Sequence, residues 1–122
     1  MSNNSKWRVS FDFLGTRVDG WLVAGRYAHG GRVAVQVQHV DEFGDESVWA
    51  TVTVNVPAAV LADPDYDVIV NYGASAEVVR AVVESGFVEP EPYMEVQVGM
   101  AVAPIYHMSD EAKAWFDANA EE

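Results

Sequence analysis

The chain has 122 residues, half of them hydrophobic, and no cysteine, so it is long enough to bury one core without staples, while disulfides and thiolate metal sites are excluded. A formal net charge of −12 argues against ordinary binding to a phosphate backbone, which needs basic residues to displace counterions. The polar start, Met1 to Lys6, lacks the apolar stretch of a secretion signal, and no apolar run approaches the roughly 20 residues of a membrane span. Together these predict one cytoplasmic domain over 1–122, with flexible ends at 1–5 and 120–122.

Trp7, Val9, Phe11 and Phe13 alternate with Arg8, Ser10 and Asp12, which predicts a first strand with one aromatic face. Gly15 offers a turn or bulge before a second extended run from Thr16 to Tyr27. Tyr27 to Gly31 reads as a hairpin loop, because paired glycines supply positive φ. Val33 to Val40 follows as a strand, and Asp41-Glu42-Phe43-Gly44-Asp45-Glu46 as the polar loop returning the chain. The stretch Val48 to Val56 alternates valine and alanine against Trp49, Thr51, Thr53 and Asn55, the pattern of a central strand. Pro57 ends it and suits the first turn of a short helix over Ala58 to Ala62.

Asp63 to Asp67 then reads as a turn, Val68 to Val70 as a short buried run and Asn71 to Ala74 as a loop. Ser75 caps a helix whose valines 78, 79, 82 and 83 share one side, and Gly86 ends it. Tyr93 to Val98 alternates again. Met100 to Met108 is extended with Pro104 inside, which suggests an edge strand or two half-strands. Ser109 caps a last helix that Trp115 and Phe116 dock on the sheet. The predicted fold is α+β: an antiparallel sheet of about five to six strands with two helices packed mainly on one face.

The charge is uneven. Residues 1–32 carry Lys6, Arg8, Arg17, Arg26 and Arg32 against Asp12 and Asp19, or +3, whereas residues 33–122 carry Arg80 and Lys113 against seventeen acids, or −15. Such a face suits a basic partner, and it also keeps a protein soluble. His29, His39 and His107 have no ligand-pair spacing, so they read as surface or satisfied polar residues, with no catalytic or metal role expected. Asp63, Asp65 and Asp67 imitate the opening of a calcium loop, but Val68 and Ala74 stand where that loop needs glycine and glutamate. If extended, those carboxylates would point one way about 6–7 Å apart, near the spacing of phosphates on a nucleic-acid strand. Asp41, Glu42, Asp45 and Glu46 supply a second cluster. Trp49, opposite the valine face, is either an outward interface aromatic or part of the core.

The stretch Trp49-Ala50-Thr51-Val52-Thr53-Val54-Asn55-Val56-Pro57 resembles the threonine-valine-asparagine-leucine-proline strand signature of a family of small proteins carried on plasmids, phages and integrated elements. Gly30 to Gln36, Asn71 and the segment Gly99 to Tyr106 resemble the family's flanking motifs, so the likeness spans most of residues 27–108. It implies a mobile-element context and assigns no activity. On charge and resemblance together, the expected function is an anti-defence, anti-CRISPR-like inhibitor acting in the host bacterial cytoplasm. It would hold the basic surface of a CRISPR effector or restriction enzyme by mimicking nucleic acid, through Asp41, Glu42, Asp45, Glu46, Asp63, Asp65, Asp67 and Trp49. No enzyme activity, cofactor, direct nucleic-acid contact or membrane contact is expected. The alternative is an accessory enzyme or ligand-binding domain with a pocket of Trp49, His39 and Tyr106.

Overall fold

A computed structural model describes residues 7–71 and 73–119; the ends expected to be flexible, and Tyr72 of the expected 71–74 loop, lie outside the described residues. The fold is α+β, but its strands form two antiparallel sheets rather than one. β1 (Arg8–Phe13), β2 (Thr16–Arg26), β3 (Val33–Val40) and β4 (Glu46–Thr51) pair in chain order as a meander. The β1–β2 turn places Leu14 at φ 52° and Gly15 at φ 82°, the left-handed pair that a two-residue hairpin needs. Gly20 meets a different need: a Cβ there would stand 2.2 Å from the Gln38 carbonyl oxygen, so β2 and β3 approach too closely for any side chain.

The second sheet consists of β5 (Val68–Ile69), β6 (Met94–Val98) and β7 (Ala101–Tyr106), with β7 in the middle. Pro104 therefore lies in a central strand, not an edge. Its carbonyl accepts from Val70 N at 2.9 Å, so its nitrogen faces the β5 side. There it faces Val70, and the missing N–H leaves that pair with one ladder bond instead of two, at the point where β5 ends.

The stretch from Val48 to Val56 does not stay in one strand. Val37 pairs with Ala50 but Gln38 with Val48, leaving Trp49 as the extra residue of a bulge that reverses the alternation. After Thr51 the chain crosses between sheets: Val52 N donates to Val35 O on β3, while Val54 N donates to Ile69 O on β5. Thr53, buried between them, accepts from Val35 N through its hydroxyl. The expected helix over Ala58 to Ala62 is absent, and only a turn forms at Pro57 and Ala58. Five residues are too few to hold a helix by themselves. Arg32 draws the Pro57 and Ala59 carbonyls at 3.0 and 2.6 Å, and Ala59 and Leu61 pack with Ile69, Ala103 and Ile105 as a strap over the second sheet.

α1 (Ala76–Glu84) starts where the Ser75 hydroxyl accepts from Val78 N and stops before Gly86 at φ 87°. α2 (Asp110–Asn119) starts on Ser109, which accepts from Ala112 N. Val78, Ala81 and Val82 of α1 and Ala112 and Phe116 of α2 join one core with the inner valines of β3 and with Val9 and Phe11 of β1. Among the described residues no helix is long and apolar enough to cross a membrane.

Candidate functional site

The two acidic segments lie at opposite ends of β3. Glu46 pairs with Val40 at one end; at the other, Arg26 pairs with Val33 and its guanidinium donates to the Asp65 carbonyl at 2.9 Å. Eight residues of strand separate them, about 23 Å at the usual rise. A single strip of carboxylates joining both segments is therefore not formed.

The 41–46 segment is a hairpin tip. Asp41 is the inward member: its carboxylate accepts from Phe43 N at 2.9 Å and Asp45 N at 3.0 Å, an Asx-type turn that fixes the loop. Glu42, Asp45 and Glu46 remain exposed, and Phe43 stands between them with 80% of its surface exposed. Sequence reading passed over Phe43 as part of a polar loop. The signal was there, since a lone aromatic among acids at a hairpin tip has no core to enter.

The 63–67 segment is a tight turn, closed by Asp67 N donating to Asp63 O at 2.8 Å, so its carboxylates do not form an extended row. Asp65 is exposed. Asp63 holds Lys113 Nζ at 3.3 Å. Asp67, expected to face a partner, is 1% exposed and fully committed inside. Its Oδ1 lies 2.8 Å from His107 Nδ1; its Oδ2 accepts from the Tyr93 hydroxyl at 2.5 Å and from Asp63 N at 3.0 Å. Trp49, open between interface and core from the sequence, packs against the core. The bulge turns it inward, edge-on to Phe11 and Phe13 at 5.0 and 5.1 Å between ring centres, while Val48 is the exposed neighbour.

Trp49, His39 and Tyr106 do not meet as a pocket: His39 pairs with Ser47 in the first sheet, and Tyr106 with Val68 in the second. The register that sets Val68 across from Tyr106 places Asp67 across from His107 one step further on. Tyr93, just before β6, stacks on the imidazole with ring centres 3.9 Å apart and planes 2° from parallel. His107 lines a cleft of about 660 Å³ with Ala62, Asp63, Glu89, Glu91, Asp110 and Lys113. Burial and the hydrogen bond to Asp67 raise the Tyr93 hydroxyl above its ordinary value of 10.0. Tyr66 is raised too, first by its hydrogen bond to Asp117.

Fold and sites together define an acidic α+β domain of two small antiparallel sheets, with an acidic hairpin tip and a polar cleft at His107. No family model, curated protein or solved structure matches the chain.

Proposed function

We propose that the protein is a non-enzymatic, anti-defence type of inhibitor that acts in a host bacterial cytoplasm, with the 41–46 hairpin tip as its contact. The partner is the basic, nucleic-acid-holding surface of a host complex such as a CRISPR effector or restriction enzyme. The observation that carries this reading is the exposed Phe43 flanked by Glu42, Asp45 and Glu46 on a turn held by Asp41. An aromatic anchor ringed by like charges suits a groove with an apolar floor and basic walls. Two of the basic residues that offset the acids are turned to backbone: Arg26 donates to the Gly31 and Asp65 carbonyls, and Arg32 to those of Pro57 and Ala59. The mobile-element context rests on the strand motifs alone.

The test is affinity capture from a bacterial lysate with wild-type protein and with a Glu42→Lys, Asp45→Lys, Glu46→Lys variant. Wild type recovers a basic nucleic-acid-handling complex, recovery falls as salt rises, and the reversed variant recovers none. Equal capture by the two proteins rules the reading out.

A further inference from the structure

The Asp67–His107–Tyr93 assembly does more than close a core. A carboxylate 1% exposed is costly to bury, and here one oxygen holds an imidazole in the wall of a cleft while the other accepts from the Tyr93 hydroxyl and the Asp63 amide. The Tyr93 hydroxyl and Asp63 N both donate to Asp67, so the carboxylate has only acceptor capacity to offer His107. Nδ1 therefore carries a proton toward Asp67. The His107 side chain keeps 40% of its surface exposed and lines the cleft. Tyr93 backs the imidazole and makes a flat two-ring platform.

We propose that this cleft is a binding site for a guanidinium group. A planar cation extends the Tyr93–His107 stack and presents its N–H groups to the cleft carboxylates. The chain already places one cation there: Lys113 Nζ lies 3.3 Å from Asp63 and 4.0 Å from Asp110. Glu89 and Glu91, both exposed on the cleft wall, pair with no basic side chain among the described residues. They are the carboxylates left for an incoming group, which an ammonium would meet without the fork and without the stack. The site lies at the opposite end of β3 from the hairpin tip, so it does not depend on the reading above.

Agmatine, n-pentylamine and the capped peptide acetyl-Gly-Arg-Gly-amide serve as probes, titrated into the full chain and followed by amide and imidazole NMR shifts. Agmatine or the peptide shifts His107, Tyr93 and Glu89 saturably, and n-pentylamine binds about tenfold more weakly. Whichever of the first two binds tighter tells whether the group arrives on a small molecule or on an arginine side chain. Glu89→Gln with Glu91→Gln changes two exposed residues, so the fold survives, and it weakens binding about tenfold. Lys113→Met removes the resident cation and tightens binding, a result a purely structural role for the cleft would not produce. No saturable shift with either guanidinium probe, equal binding of n-pentylamine, or no gain in Lys113→Met overturns the proposal. Reversing the tip charges leaves probe binding intact, so the two readings fail separately.

Discussion

The two acidic segments have nearly the same composition and opposite fates. At 41–46 one aspartate turns inward to hold the loop and the remaining acids stay in water around Phe43. At 63–67 the last aspartate is sealed in the core, the first is bridged to Lys113, and only Asp65 is left exposed. What separates them is the neighbouring chain. Asp45 and Glu46 lead into an edge strand beside solvent, whereas Asp67 leads directly into Val68 and Ile69, both buried in the second sheet. A carboxylate pulled inward by a buried strand must find donors, and three were available.

The sharpest way to break this contrast is Asp67→Ala. It strips a partner from His107, Tyr93 and the Asp63 amide at once, and should cost about 3–5 kcal/mol of unfolding free energy. Glu42→Ala, an exposed acid of the other segment, should stay within about 0.5 kcal/mol. Urea midpoints for both proteins check the pair. Similar small losses would mean that the buried network contributes little to holding the second sheet.

Much of the fold was legible because period-2 alternation and caps are local signals. The meander, both capped helices and the Gly30–Gly31 turn could be read from neighbouring residues alone. Three features could not. The bulge at Trp49 depends on how β4 registers against Val37 and Gln38 of β3, a pairing between strands that leaves no trace near residue 49. The strap that stands in place of a helix over 58–62 is held by Arg32, more than twenty residues upstream. The cleft needs Asp67, Tyr93 and His107 from three different strand ends, so no spacing within one segment could announce it. One hint was present: an aspartate abutting the buried run Val68 to Val70 is itself a candidate for burial.

A smaller effect sharpens the other half of the comparison. Asp41→Ala removes the acceptor for the Phe43 and Asp45 amides and should cost about 1 kcal/mol. Because Asp41 serves the loop rather than the partner, the substitution should speed amide exchange at Phe43 and Asp45 while leaving the second sheet protected. Faster exchange throughout would mean that the tip and the core are not separate units.

The smallest effect appears only in alkali, and it reads the cleft directly. Tyr93 is raised above 10.0 because burial and the bond to Asp67 favour its neutral hydroxyl, and a phenolate there would face a carboxylate. A group raised on folding stabilises the native state fully below its unfolded value and loses that contribution as pH climbs through the folded one. The stabilisation from Tyr93 should therefore be constant across neutral pH and fall away only above about pH 10. Ultraviolet titration of phenolate should show late-ionising tyrosines, Tyr93 and Tyr66, and Tyr93→Phe should remove one while leaving the Tyr66–Asp117 pair. In Asp67→Asn the phenol keeps an amide oxygen to bond but loses the adjacent negative charge, so the late step should move down toward 10.0 without vanishing. If it stays in place, burial alone sets the Tyr93 ionisation, and Asp67 is a spacer there rather than an acceptor that shapes the cleft.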